Sequence, residues 1–357
     1  MIPNFYYHPR QMEYDFGPGH PLKPFRLERT MTLLKAVVPG VVFLDPGFGD
    51  RADVLRVHDH TLVDIVQNLS EGMCLPPGVA GNFGFGAGDN PPFLGMYEAS
   101  LAYCAGSVRA AQDVTDGAKL AFNMAGGLHH ARRSESSGFC VFNDPAIACH
   151  ILREKFERVM YIDIDLHHGD GVQWLFYEDP TVLTYSIHES GRTLYPGTGF
   201  TRETGAEGTA VNVPLVAGTT GDVWLDAFTR TVVPTFERFR PEAIVLQLGC
   251  DAHRDDPLGH LNVSVQEWLQ AVALVRDFGV PIVACGGGGY RMENVPRMWV
   301  GAVLTLTRLP IPERIPGEIP REWGMETFLD ETVLRGQGVN EAEDTLKQVL
   351  ENLNLIS

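Results

Sequence analysis

The stretch "RVMYIDIDLHHGDGVQ", Arg158 to Gln173, decides how this chain folds. It opens with an apolar run suited to a buried strand. It then places Asp163, Asp165, His167, His168 and Asp170 within eight positions that contain no Lys or Arg. A buried carboxylate has to be paired, hydrogen-bonded, protonated or bound to a metal. Strand side chains alternate between faces, so Asp163, Asp165 and His167 fall on one side, spaced about 6.6 Å per two-residue step. A carboxylate and an imidazole at that spacing can reach one cation at about 2.0–2.2 Å. Asp165 and His167 lie nearest the strand end, where substrate arrives. Asp163, one step deeper, suits orienting a neighbour more than ligation.

Comparable runs recur along the chain: "VVFL" (41–44), "KLAFNMAG" (119–126), "TVLTYSIH" (181–188), "TAVNVPL" (209–215), "EAIVLQLG" (242–249) and "VPIVACGG" (280–287). Helix-like segments lie between several of them. In "SVQEWLQAVALV", apolar residues recur at helical spacing and Ser264 with Glu267 forms a capping box. The alternation predicts an α/β fold: one three-layer domain over 1–357, with a mostly parallel central sheet and helices on both faces. Chemistry then gathers beyond the C-terminal ends of the strands. The Gly/Pro-rich stretch 75–93 reads as a functional loop. Residues 310–357 read as a proline-rich strap followed by an amphipathic helix near 341–353.

Three further strand ends carry chemistry. "AIVLQLGCDAHRDDP" offers Asp251, which completes an Asp165/His167/Asp251 set and leaves one position of a catalytic zinc site open. "NMAGGLHHARR" presents His129 and His130 after a glycine turn. These could be ligands, or an acid and a base oriented by the spare carboxylates of Asp163 and Asp170. "VACGGGGYRMENV" fails the G-x-G-x-x-G dinucleotide pattern, because Tyr290 follows the fourth glycine. A tyrosine on such an arm can donate a hydrogen bond to a developing oxyanion.

Composition narrows the partners. With 28 basic against 45 acidic residues and a net charge of −17, nucleic acid is disfavoured as a partner, since its phosphates draw on Lys and Arg. The six cysteines show no CxxC pair, which favours reduced thiols over a disulfide framework. No apolar run approaches the roughly 18 residues of a membrane span, and the N-terminus lacks a signal peptide's apolar region. The expectation is a cytoplasmic protein with no membrane or nucleic-acid partner. The sequence does not fix an oligomeric state.

Taken together, "GGLHHARRSESSGFCVFND", "YIDIDLHHGDGVQ", "LQLGCDAHRDDPLGHLN" and "CGGGGYRMENVPRMW" resemble the zinc-dependent histone deacetylase family. Within it, "HESGRTLYPGTGF", "GCDAH" and "PPFLGMYEAS" are most similar to the bacterial acetoin-utilisation branch, which is close to class I. The resemblance runs from about residue 6 to about residue 305 and implies an arginase/deacetylase-like fold. It also implies hydrolysis of N6-acetyl-lysine in proteins or peptides. Asp165, His167 and Asp251 are then ligands of one Zn2+, with Fe2+ as an alternative ion. His129 pairs with Asp163 and His130 with Asp170, while Tyr290 polarises the amide. Gly138, Phe139, Tyr195 and Leu258 line the substrate tunnel, and Asp89 at the rim holds substrate backbone. A structural K+ lies near Asp163, Asp165, His167 and Ser186, and Arg26 borders a cavity beneath the metal. Tyr195 stands where the family commonly has phenylalanine. Alternative readings are a deacylase of small acetylated amines or polyamines and a manganese ureohydrolase, the latter suggested by "DAHRDD". A catalytically silent binding protein would lack a ligand, histidine or tyrosine, and none is missing.

Overall fold

The computed structural model describes residues 2–355. Its strands are β1 (Asn4–Tyr6), β2 (Phe43–Leu44), β3 (Leu120–Asn123), β4 (Val159–Asp163), β5 (Val182–Glu189), β6 (Ala210–Leu215), β7 (Ala243–Gln247) and β8 (Ile282–Cys285). They form one eight-stranded sheet in the order β2-β1-β3-β8-β7-β4-β5-β6, and every pairing is parallel. Parallel strands need crossover connections, and here helices cover both faces.

Alternation along the central strands assigns each side chain to one face. Met160, Ile162, Ile244, Leu246, Ile282 and Ala284 belong to one buried cluster. Tyr161, Val159, Ala243, Val245, Val283 and Cys285 belong to the other. Helices Phe25–Val37, Gly221–Phe239, Val265–Asp277 and Asn294–Leu306 cover the first face, and helices Met96–Thr115 and Asp144–Leu152 cover the second. The capping box of Ser264 and Glu267 is formed in both directions.

The strand order also determines where chemistry meets. After β6 the chain returns to insert β7 and β8 between β3 and β4. The four central strands β3, β8, β7 and β4 are therefore neighbours, and they are the strands that lead into His129, Tyr290, Asp251 and Asp165.

One expectation needs correction. The strand that opens the Arg158–Gln173 stretch stops at Asp163, so Asp165 and His167 do not share a strand face but lie in the loop beyond it. Side chains replace the ladder there. Asp163 Oδ1 accepts the Asp165 N–H at 3.1 Å, and Asp165 Oδ1 accepts the His167 N–H at 2.9 Å. Between them, Leu166 N–H donates to Asp251 Oδ1 at 2.9 Å. Short polar side chains compete with backbone partners in this way and end regular structure.

The C-terminal segment packs onto the same core. Ile315, Met325, Phe328, Leu346 and Val349 are buried in the first cluster, and helix Val339–Asn352 lies against β6 and helix Gly221–Phe239. Asp330 anchors it through polar contacts. Its carboxylate accepts from Arg297 at 2.7 Å, from the Val265 N–H at 2.9 Å and from His253 Nε2 at 3.0 Å. His253 sits two residues past Asp251, so the strap supports that loop directly. Among the described residues, no helix is long and apolar enough to cross a membrane.

Candidate active site

Asp165, His167 and Asp251 are buried, and one ligand atom from each lies within 4.8 Å of the others. His167 Nδ1 is 3.2 Å from Asp165 Oδ1 and 3.1 Å from Asp251 Oδ2. Donors about 2.1 Å from a tetrahedral cation stand roughly 3.4 Å apart, so the set fits a single divalent ion. The outer oxygens are already committed. Asp165 Oδ2 accepts from Gln247 Nε2 at 2.8 Å and from the Gly288 N–H at 2.7 Å, while Asp251 Oδ1 is held by Leu166. The inner oxygens are thereby aimed at His167. Burial opposes a charge on that imidazole, yet two facing carboxylates overcome it and push its pKa up to about 10. A cation takes over that role when it binds.

The histidine pair stands beside this set. His129 Nδ1 is 2.7 Å from Asp163 Oδ2, and His130 Nδ1 is 2.7 Å from Asp170 Oδ1. The two Nε2 atoms face each other at 3.0 Å, and His129 Nε2 lies 3.8 Å from Asp165 Oδ1. With both Nδ1 atoms donating to carboxylates, one hydrogen remains for the two Nε2 atoms. The pair therefore carries three protons on four ring nitrogens. Burial disfavours both charged rings, but Asp163 and Asp165 raise His129 to about 9. Burial and the neighbouring His129 charge lower His130 to about 4. Asp170 also takes Arg132 at 2.8 Å; despite burial, its hydrogen bonds bring it down to about 2.

Tyr290 ends the glycine arm on the other side. Gly287 and Gly289 have φ of +147° and +136°, conformations open to glycine. A Cβ at Gly288 would fall 2.1 Å from Asp251 Oδ2, so the arm runs flush against the ligand set. Burial, then the charges of Asp251 and Asp165, hold the phenol well above its ordinary pKa. It remains a donor at neutral pH.

The remaining predicted residues are distributed around this centre. Phe139 packs edge-on against Tyr290, with ring centroids 5.8 Å apart. Tyr195 meets His130 at 5.0 Å and His167 at 6.5 Å, and its hydroxyl is hydrogen-bonded to Ser137. Gly138 lies between these walls: a Cβ there would come within 2.5 Å of His130. Asp89 is exposed on the loop that packs against residues 135–138. Leu258 is half-buried beyond Asp256, to which its N–H donates at 3.0 Å. Ser186 is the register partner of Asp163 and hydrogen-bonds His188 Nδ1 at 2.8 Å. Arg26 is buried, donates to the carbonyls of Gly287 and Gly289 at 2.8 and 3.2 Å, and stacks over Trp299.

Sequence reasoning missed several supports. Tyr161 donates to Asp163 Oδ2 at 2.6 Å, a contact that strand spacing (i, i+2) could have suggested. Gln247 ends β7 and reaches Asp165, and Asn143 Nδ2 holds the carbonyls of His129 and Ala131 at 3.1 and 2.9 Å. No short-range pattern announces either contact.

A parallel sheet with a buried Asp/His/Asp set and carboxylate-backed histidines along its C-terminal edge defines a metal-dependent hydrolase of the α/β class. The histone deacetylase domain matches residues 20–306. The chain belongs to the histone deacetylase family and to its acetoin-utilisation branch. It is 37% identical over 333 residues to the acetoin utilization protein AcuC of Bacillus subtilis (strain 168), covering 89% of this chain and 84% of that protein. Histone deacetylase 6 of Arabidopsis thaliana is 37% identical over 304 residues, covering 83% of this chain and 64% of that protein. The crystal structure of a histone deacetylase homolog from Aquifex aeolicus superposes with a TM-score of 0.90 at 28% identity, covering 98% of this chain and all of that one. A homolog complexed with SAHA gives 0.89 at the same identity and coverage.

Proposed function

We propose that this enzyme hydrolyses the amide of N6-acetyl-lysine in proteins or peptides, using one zinc ion held by Asp165, His167 and Asp251. The observation that carries the reading is the approach of the histidine pair to the ligand set, 3.8 Å from His129 Nε2 to Asp165 Oδ1. A base and an acid thus stand beside the ion's position. The bound cation supplies Lewis acidity and lowers the pKa of water toward about 7. The neutral imidazole of the pair takes the proton of the attacking water, and Asp170 and Asp163 keep both rings oriented. Tyr290 donates to the carbonyl oxygen as negative charge develops there. The protonated imidazole then gives its proton to the departing lysine amine. Phe139 and Tyr195 flank the acyl-lysine stem with Gly138 between them, Leu258 borders the entrance, and Asp89 accepts backbone N–H groups at the rim.

Potassium near Asp163, Asp165, His167 and Ser186 belongs to the same proposal, supported by the register pairing of Asp163 with Ser186. So does a cytoplasmic, bacterial setting, supported by the likeness to the Bacillus protein. The test is kcat/KM for the zinc-loaded enzyme over acyl-lysine peptides of increasing chain length and over acetylated polyamines. Preference for acetyl-lysine peptides is expected. Higher kcat/KM on the polyamines would reassign the substrate, and two metals per chain would favour the ureohydrolase reading.

A further inference from the structure

The glycine arm poses a mechanical problem. Four consecutive glycines lead into the residue whose hydroxyl must meet a reacting oxygen, and glycine gives the backbone its widest freedom. Something outside the arm has to fix Tyr290. Its phenol has no hydrogen-bond partner among the described residues, whereas its backbone N–H donates at 2.8 Å to Asp256 Oδ2. Asp256 is 7% exposed, and its other oxygen accepts the Leu258 N–H at 3.0 Å, so the carboxylate is itself held in place. Opposite it, the Arg26 guanidinium holds the carbonyls of Gly287 and Gly289. The arm is thus gripped by a carboxyl oxygen at its N–H and by a guanidinium at its carbonyls. Asp256 belongs to the loop that begins with Asp251.

We infer that Asp256 is a positioning residue for the reaction: its carboxylate fixes Tyr290 through the backbone and ties the oxyanion donor to the loop carrying a metal ligand. This rests on the hydrolase reading of the site above. Asp256 stands outside the Asp165/His167/Asp251 set, and it acts only through where the phenol stands.

A double-mutant cycle tests the inference. Asp256→Ala is expected to lower kcat by about 10²-fold, as a displacement near 1 Å can, with KM and zinc content unchanged. Asp256→Asn, which retains one acceptor oxygen, should recover part of the loss. In the Tyr290→Phe enzyme, Asp256→Ala should cost almost nothing further. A full multiplicative loss in that background, or loss of zinc, overturns the inference. Hydrogen exchange at the Tyr290 amide is a readout independent of turnover. It should be faster in Asp256→Ala, and unchanged exchange in that variant also overturns the inference. If the wild-type enzyme hydrolyses no acylated amine, the reading of the site fails, and the exchange measurement still decides the anchor.

Discussion

The two flanks of the metal-ligand set are built on opposite plans. On one flank, His129 and His130 are aimed through their side chains: each ring is held by a buried carboxylate, and the segment carrying them is fastened by Asn143 and His58. On the other flank, Tyr290 is aimed through its backbone, at the end of an arm whose peptide groups are held by Arg26, Asp165 and Asp256. The difference suits the work proposed for each flank. A proton-transfer group needs a fixed tautomer, which a hydrogen bond to its own ring imposes. A phenol that donates to a developing charge needs its oxygen free, so its anchors must lie elsewhere.

Experiments can break this contrast in order of expected effect. Asp251→Ala removes what both flanks surround. Bound metal should be lost and hydrolysis fall to background, and elemental analysis showing full zinc occupancy would contradict the ligand set. His130→Ala attacks the side-chain flank and should lower kcat by about 10²–10⁴-fold with metal retained. Tyr290→Phe attacks the other and should cost about 10²–10³-fold in kcat, again with metal retained; normal turnover would remove the tyrosine from the mechanism.

Acid should loosen the histidine flank. His58 donates from Nδ1 to the Arg132 carbonyl at 2.8 Å and accepts the Asn143 N–H on Nε2 at 2.9 Å. Burial lowers its pKa to about 4. The folded protein therefore keeps it neutral while the unfolded chain takes up a proton below about pH 6.5. Its stabilising contribution is complete above that pH and is lost as pH falls toward 4, reaching about 3 kcal/mol. Denaturant unfolding across this window should show a shallower slope for His58→Gln than for wild type. Hydrogen exchange should show segment 129–132 loosening as pH falls toward 4. The smallest effect is expected from Tyr195→Phe. It removes one exposed hydrogen bond, to Ser137, and should change acyl-chain preference by only a few-fold in kcat/KM, since such a bond is worth about 1 kcal/mol.

The central strands were legible because burial on both faces writes near-continuous apolar runs, as in β4, β5 and β7. The three-residue strand β1 is too short to carry a period. Helix Asn294–Leu306 is buried all round, so it shows no polar face to mark it as a helix. The same logic divides the site. Asp165, His167, Asp251, the histidine pair and Tyr290 could be picked out because polar groups at the ends of apolar runs are conspicuous. Gln247, Asn143 and Asp256 act across the fold on backbone groups more than ten residues away, and local sequence does not encode such partners. Asp165 and His167 were expected on a strand face. Their spacing suited convergence, but successive side-chain-capped turns produce it.

The Asp330 anchor has a consequence for how the enzyme matures in the cell. His253 is buried in the loop that carries Asp251, and the carboxylate that pairs with it is encoded 77 residues later. While the ribosome is still adding those residues, the loop exists without its brace and the cation's third donor is unsupported. The brace then forms only in the final part of synthesis or after release, and a chain interrupted between residues 291 and 330 would carry all the side chains of the proposed centre without it.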